Sequence, residues 1–299
     1  MIEPDGKRSH SISRAEGALH LALQDCGGAL DIKNVAMVAC YYPVTPQRRD
    51  PGPWAMQACW GHRADALVYP ASVMKLFVLA ALAEFRARGR IDTTREDDRA
   101  AAAMIRESSN EATAYLMGRL TGAEDGAPLP PQALHEWIAR RSGLQDWYRA
   151  TGRPEYQGLR LLHATYQDSP YGRAFDARVD GNGNVLSAEA GAALMHDIAR
   201  GAMQGSAWMM GLLDRTFQRL PGYDNAEADQ VRGFLAEGLP ADVQVWSKAG
   251  HTSKTRHDLL FAEKPDGSAF ILSVMTEGKW SADHDRFLPA LARHFYATS

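Results

Sequence analysis

The sequence lacks several features that would point to particular classes of protein. In its 299 residues, no apolar run reaches the roughly 18 residues that a membrane helix requires. The net charge is −3 and there is no long basic run, which argues against nucleic acid or an anionic membrane as a partner. Residues 1–17 are polar and lack the apolar stretch of a signal peptide, so we expect a cytosolic location unless a leader precedes them.

Cysteine and metal-binding motifs are also scarce. The three cysteines, Cys26, Cys40 and Cys59, form no C-x-x-C pair. Their odd number favours free thiols in a reducing compartment over a disulfide framework. No H-E-x-x-H motif or Cys/His set is present, so we expect neither a metal nor an organic cofactor. Hydrophobic residues make up 45% and charged residues 23%, as in an ordinary globular chain with one or two cores.

The apolar pattern predicts strands near both ends of the chain and helices between them. Helical spacing predicts helices over 12–26, 71–88, 93–122, 131–141, 187–201, 206–220 and 281–298. Short apolar runs bounded by turn residues predict strands at 34–42, 54–60, 243–248, 257–263 and 269–278. Residues 143–185 are rich in Gly, Arg and aromatics, and are expected to hold short helices or a lid.

This order of elements indicates an α+β fold. We expect one antiparallel sheet built from both termini and flanked by helices, with an inserted helical lobe. The predicted sheet domain is discontinuous and comprises residues 1–71 and 236–299. The predicted, mainly helical domain spans residues 72–235.

One pair of residues suggests nucleophilic catalysis. The segment YPASVMKLF places Ser72 three residues before Lys75, at the start of a predicted helix. Residues i and i+3 share a helix face, and free N–H groups in the first turn favour a developing anion. A lysine with a depressed pKa could accept the proton of the serine hydroxyl. The alternative is a helix cap followed by an ordinary lysine.

Two later stretches favour the catalytic interpretation. MIRESSNEATAYL contains Ser108 and Asn110, and VWSKAGHTS contains Lys248 and Gly250. In order, the chain reads S-x-x-K, S-x-N and K-x-G. This set resembles the serine β-lactamase and penicillin-binding-protein superfamily, whose motifs are S-x-x-K, S-D-N and K-T-G. The GLP and RHD segments around the third motif resemble class A β-lactamases, and the resemblance is weakest at 120–187.

The resemblance implies a β-lactamase/transpeptidase-like fold and a role for each matching residue. Ser72 would be the nucleophile and Lys75 its proton acceptor. Ser108 would relay a proton to the leaving group. Asn110 would bind Lys75 and an amide carbonyl of the substrate.

Two more residues complete the implied machinery. Lys248 would place a second positive charge beside Ser108 and Lys75, and repulsion between two ammonium groups helps to keep one of them neutral. The backbone N–H groups of Ser72 and His251 would form the oxyanion hole. Such donors stabilise a tetrahedral oxygen by roughly 3–4 kcal/mol each.

The third motif departs from the family pattern at one position. Ala249 stands where the family has a Thr or Ser, whose hydroxyl helps to hold a substrate carboxylate. Thr252 or Ser253 could supply a hydroxyl from nearby. Arg256 lies where some class A enzymes place a carboxylate-binding arginine, and either anion binding or a surface salt bridge would explain it.

The segment that activates the deacylating water is also missing. No E-x-x-L-N motif is present, and Glu155 in RPEYQGL is the nearest candidate for the base. Asp176 and Asp180 are weaker candidates. Ala114, four residues after Asn110, stands where that family often has an asparagine supporting the glutamate loop.

We therefore expect a serine hydrolase that acts on a small-molecule amide, lactam or ester through an acyl-enzyme on Ser72. One alternative is a β-lactamase, or a D,D-peptidase or acyltransferase acting on peptidoglycan-like substrates. A second alternative, from another class, is a catalytically silent binding protein. The sequence does not indicate the oligomeric state or the natural substrate.

Overall fold

A single antiparallel sheet organises the chain. The computed structural model describes residues 5–46, 52–55, 59–164, 171–179 and 181–298, with side chains from residue 14 onward. The strands among these residues are β1 (Val35–Tyr42), β2 (Cys59–His62), β3 (Gln244–Thr252), β4 (Thr255–Glu263) and β5 (Ala269–Thr276). Their order, β2-β1-β5-β4-β3, places β3 at one edge.

Helices cover both faces of the sheet. On one face lie α1 (Asp5–Asp25) and α11 (Phe287–Thr298), which pack on each other. The remaining helices of the described residues are α2 (Lys75–Ala87), α3 (Arg95–Ala102), α4 (Asn110–Thr121), α5 (Pro131–Arg141), α6 (Gly143–Arg149), α7 (Gly172–Val179), α8 (Ala188–Ala199), α9 (Ser206–Leu213) and α10 (Lys279–Asp283). Of these, α8 packs directly on β1, β4 and β5.

The side chains of the buried strands alternate between the two faces of the sheet and contribute to two hydrophobic cores. Successive side chains of a strand point to opposite faces. On β5, Leu272 and Val274 join the core beneath α1 and α11, whereas Ile271 and Met275 join the larger core around α2 and α8. The chain thus holds a sheet covered on both faces, and the α+β fold predicted from the sequence is confirmed.

Several predicted elements differ from those observed. The helix predicted over 206–220 ends at Leu213, and the helix predicted over 281–298 is divided between α10 and α11. The predicted helix over 93–122 is broken into α3, a π-helical turn (Ala103–Glu107) and α4, with Ser108 in the left-handed region at φ 58°. Of the strand predicted over 54–60, Cys59 and Trp60 belong to β2, which continues to His62, and residues 56–58 lie outside the described residues. Residues 143–185 contain short helices, as expected. The proposed domain boundaries stay a prediction.

The expectation of three free thiols is wrong. Cys40 on β1 lies directly opposite Cys59 on β2, with Cα atoms 4.4 Å apart, and the two form a disulfide. Only Cys26 is a free cysteine among the described residues. Because the strand register creates this pair, cysteine usage no longer supports a reducing compartment. None of the helices in the described ranges combines the length and hydropathy that a membrane span needs.

Candidate active site

Ser72 lies where the edge of the sheet meets the start of a buried helix. It belongs to a 3-10 turn, Ala71–Met74, that leads directly into α2. A Cβ built on Gly250 of β3 would lie 3.0 Å from the Ser72 backbone nitrogen. Glycine therefore lets β3 approach the serine this closely without displacing its backbone.

Lys75 begins α2 and is completely buried. Its Nζ donates to the carbonyl oxygen of Ser108, to Ser108 Oγ at 3.2 Å and to Asn110 Oδ1 at 2.8 Å. Burial lowers the pKa of Lys75 to about 7, although nearby Glu111 partly opposes the shift. A lysine with this pKa is well suited to act as a general base at neutral pH.

Ser108 occupies the break between the π-helical turn and α4. Its left-handed backbone is uncommon for a residue with a side chain, and such conformations cluster at functional sites. The conformation presents its hydroxyl to two lysines, since Oγ lies 3.2 Å from Lys75 Nζ and 3.1 Å from Lys248 Nζ. When both amines donate, both lone pairs of Oγ are engaged and its proton is free to point into the cleft.

Lys248 is a completely buried residue of β3. Its Nζ donates to Ser108 Oγ, to Gln230 Oε1 and, at 2.6 Å, to the carbonyl oxygen of Ala249. An ammonium has three N–H donors, so this set of three acceptors satisfies it completely.

The electrostatic surroundings of Lys248 oppose its charge. Burial lowers its pKa well below the ordinary lysine value, and the positive charges of Lys75 and Arg215 add to the shift. Asp258 on β4 opposes the shift through space. Burial raises the pKa of Asp258 itself to about 7. The site therefore holds more buried cations than carboxylates.

Gln230 is a buried residue that the sequence analysis did not single out. Its Oε1 accepts from Lys248 Nζ and from the Ala249 backbone nitrogen at 3.2 Å. Its Nε2 donates to the carbonyl oxygens of Ile105 at 2.8 Å and Arg106 at 3.0 Å. A lone glutamine outside any motif gives no sequence signal for this role.

The backbone groups along the open edge of β3 include the N–H of His251, a predicted member of the oxyanion hole. The carbonyl oxygens of Val245 and Ser247 accept hydrogen bonds from Arg215 along this edge, at 3.0 Å and 2.7 Å. Backbone groups of every second residue in a strand point the same way. The N–H of His251 therefore faces this edge too.

These groups surround one cleft of about 570 Å³. The residues predicted from the sequence that line it are Ser72, Ser108, Asn110, Ala249, Gly250, His251 and Arg256. Lys75 and Lys248 lie buried behind this surface. All three motifs, which are separated by as many as 176 positions in the chain, thus meet at a single site.

A family model described as the beta-lactamase enzyme family matches residues 98–298, which include Ser108, Asn110 and Lys248. The chain belongs to the beta-lactamase enzyme family. It is accordingly an enzyme, a serine hydrolase of the kind that acts on lactam C–N bonds. Among curated proteins, no sequence matches this one.

Solved structures share the fold at low sequence identity. A mutant of PBP-A, solved as an acyl-enzyme complex with penicillin G, is 16% identical with a TM-score of 0.63 over 94% of this chain and 96% of that one. A β-lactamase from Chitinophaga pinensis is 13% identical, with a TM-score of 0.63 and coverage of 95% and 97%. A class A β-lactamase from Bacteroides cellulosilyticus is 14% identical, with a TM-score of 0.64 and coverage of 96% and 98%.

Two predicted substrate-binding residues, Ala249 and Thr252, have side chains that are engaged elsewhere in the fold. Ala249 is buried and its side chain joins the core beneath α1 and α11. The Thr252 hydroxyl bonds Thr255 Oγ1 at 2.9 Å and the Lys254 backbone nitrogen at 3.2 Å. It is therefore tied into the β3–β4 turn, and Thr252 is not among the residues that line the cleft.

Arg256 faces the cleft and is held by backbone oxygens. Its Nη2 donates to the carbonyl oxygen of Ala282 at 3.1 Å, and its guanidinium lies 5.1 Å from the centre of the Phe234 ring. Among the described residues, it makes no ion pair with a carboxylate. Anion binding by Arg256 stays a prediction.

Glu155 lies away from the cleft. It belongs to a short 3-10 turn and pairs with Arg153 at 2.5 Å, lining a separate pocket with Trp54. The geometry does not bring it to Ser72. Asp176 lies on α7 and does not line the cleft either. Asp180 lies outside the described residues.

Proposed function

We propose that this enzyme is a serine acyl hydrolase that forms an acyl-enzyme on Ser72 from a small amide, lactam or ester. The observation that carries the proposal is the buried Lys75, which lies one turn after Ser72 and touches Ser108 and Asn110. A helix cap followed by an ordinary lysine would leave the lysine in solvent. Retention of both buried lysines also argues against a silent binding protein, since an uncompensated buried charge is costly.

In acylation, neutral Lys75 takes the proton of Ser72 Oγ as that oxygen attacks the substrate carbonyl. The backbone N–H groups of Ser72 and His251 would stabilise the tetrahedral oxyanion. Ser108 then gives its proton to the departing nitrogen or oxygen and regains one from protonated Lys75. The carbonyl carbon ends bonded to Ser72, and the amine or alcohol leaves.

The proposed role requires Lys75 Nζ to reach Ser72 Oγ, whereas here Nζ bonds Ser108 and Asn110. Catalytic hydrogen bonds commonly tighten only when substrate is bound, so the unliganded geometry is compatible with this role. Lys248 would stabilise the negative charge that develops around Ser108. Arg256 would attract a carboxylate of the substrate to the open end of the cleft.

We infer that release of the acyl group is slow for penicillins and cephalosporins. Glu155, the nearest sequence candidate for a water-activating base, is in a different pocket. Ala249 offers no hydroxyl to a substrate carboxylate, and a hydrogen bond to a charged group is worth roughly 1.5–3 kcal/mol. The penicillin G acyl-enzyme of the PBP-A mutant supports a reactive β-lactam as the first probe.

The experiment compares nitrocefin with p-nitrophenyl acetate on the purified protein, with intact-mass readings over minutes. We expect a stoichiometric nitrocefin burst with a persistent adduct, and faster turnover of the small ester, whose acyl group leaves room for water. Ser72→Ala is the control and should give neither signal. Sustained nitrocefin hydrolysis at hundreds of turnovers per second would contradict slow release.

A further inference from the structure

The buried amide of Gln230 joins two catalytic segments. Its orientation is fixed, because Lys248 Nζ can only donate and the carbonyl oxygens of Ile105 and Arg106 can only accept. A flipped amide would place its NH₂ against the ammonium and its oxygen against two carbonyls. Gln230 is 4% exposed, and all of its side-chain polar atoms are bonded.

Gln230 thereby connects the β3 strand to the turn that precedes Ser108. Lys248 lies on the strand, and the carbonyl oxygens of Ile105 and Arg106 belong to the π-helical turn just before the serine. The amide sets the separation between the Lys248 ammonium and the segment that carries Ser108 Oγ. Movement of this amide would therefore disturb the 3.1 Å contact between the two catalytic groups.

The acceptors around Lys248 are all neutral. They are the Ser108 hydroxyl, the Gln230 amide oxygen and the Ala249 carbonyl oxygen. The charged groups that face Lys248 are Lys75 from α2, Arg215 from the segment after α9, and Asp258 from β4. Asp258 turns Oδ2 to the Leu235 backbone nitrogen at 3.1 Å rather than to the lysine.

We propose that Gln230 is a positioning residue for acylation, whose neutral amide oxygen holds the Lys248 ammonium against Ser108 without compensating its charge. The proposal rests on the proposed function of Ser72. A carboxylate at this position would neutralise Lys248 and weaken its repulsion of a proton on Lys75. A glutamine gives the same reach and hydrogen bond without adding a negative charge to the site.

The test is a double-mutant cycle with Gln230→Met and Lys248→Ala. The rate of Ser72 labelling by a fluorophosphonate is measured from pH 5 to 10 on variants whose thermal unfolding confirms a folded state. We expect Gln230→Met to slow labelling about tenfold or more in the wild-type background and less than about twofold in the Lys248→Ala background. Equal slowing in both backgrounds would show that Gln230 serves only the fold, and would overturn the proposal.

The pH profile gives a second readout. An ammonium that loses an acceptor is less stable, so its pKa falls. Gln230→Met should therefore move the alkaline limb of the labelling rate to lower pH. If Gln230→Met does not fold, Gln230→Asn retains an amide but withdraws its oxygen by one methylene, and should shift the limb the same way. An alkaline limb that does not move in a folded variant would contradict the proposal.

A measurement without activity separates this inference from the proposed function. The chain has seven lysines, so ¹³Cε-lysine NMR can follow Lys248 directly. We expect Gln230→Met to lower the titration midpoint of Lys248. Gln145→Met is the matched control, since Gln145 is also buried and its Oε1 accepts from the Leu161 backbone nitrogen at 3.1 Å. If Ser72 is not labelled but the titration midpoint of Lys248 falls, the proposed hydrolase function is rejected and the contact between Gln230 and Lys248 stands. If the titration midpoint of Lys248 does not change, the positioning role of Gln230 is rejected.

Discussion

One substitution beside Lys75 should keep this lysine protonated at neutral pH. Asn110 Oδ1 accepts from Lys75 Nζ at 2.8 Å. Asn110→Asp places a carboxylate at this contact with almost no change in volume. It also adds a negative charge at the first residue of α4, where the helix dipole favours one, so folding should tolerate it.

The expected magnitude follows from the pKa of the lysine. An ordinary lysine, with a pKa of about 10.4, is neutral in roughly one molecule in 2,500 at pH 7. Lys75, with its pKa of about 7, is neutral in about half of the molecules, which gives roughly 10³ times more active base. An adjacent negative charge raises the pKa of a lysine by about 1–3. In a profile of reaction rate against pH, Asn110→Asp should therefore move the acid limb, where the rate rises as Lys75 loses its proton, from about pH 7 to roughly pH 8–10.

The assay is the pH dependence of fluorophosphonate labelling at Ser72, because this probe has no amide for Asn110 to bind. In the wild type the rate should rise through about pH 7, as Lys75 loses its proton, and should fall again on the alkaline side, where Lys248 loses its positive charge. At pH 7 the Asn110→Asp rate should fall roughly 5- to 500-fold and recover at higher pH. Glu111→Gln removes a carboxylate that raises the pKa of Lys75, so its acid limb should move slightly down. A folded Asn110→Asp protein with an unmoved acid limb would refute Lys75 as the base.

Two further outcomes test the remaining assignments. Glu155→Gln should leave the rate of acyl-enzyme release unchanged within about twofold, because Glu155 lies in a separate pocket. It should lower the free energy of unfolding by on the order of 1 kcal/mol, through loss of the ion pair with Arg153. A large drop in the release rate measured by intact mass would restore Glu155 as the base. Reduction, or Cys40→Ser with Cys59→Ser, should destabilise the protein by about 3 kcal/mol, because the disulfide closes a loop with a sequence separation of 19. Thermal unfolding with and without dithiothreitol measures this, and an unchanged midpoint would argue against a disulfide in solution.

Much of the fold could be predicted because local signals agree with tertiary structure. The helix over Pro131–Arg141 was predicted with the observed ends, since Pro131 begins it and its apolar spacing is regular. The break at Ser108 could not be predicted, because MIRESSN has no glycine or proline. Bonds from two distant lysines support its left-handed backbone. The Cys40–Cys59 disulfide was missed because it depends on strand register, which cysteine spacing does not reveal.

The site was predictable where short motifs fix geometry. Ser72 and Lys75 share one helix turn, so their spacing alone implies proximity. Gln230 could not be found in this way, since it reaches the site from an irregular segment and belongs to no motif. The position of Glu155 in a separate pocket could not be predicted, because a similar local sequence does not determine which pocket a side chain enters.

The most direct test of the acyl-enzyme mechanism is to map the site of covalent modification. The folded protein is treated with a fluorophosphonate, digested, and analysed by tandem mass spectrometry, with Ser72→Ala as the matched control. We expect a single adduct on Ser72, absent from Ser72→Ala and slowed roughly 10²–10⁴-fold in Lys75→Ala. An adduct on another serine, or no adduct on folded wild-type protein, would contradict the assignment of Ser72 as the nucleophile.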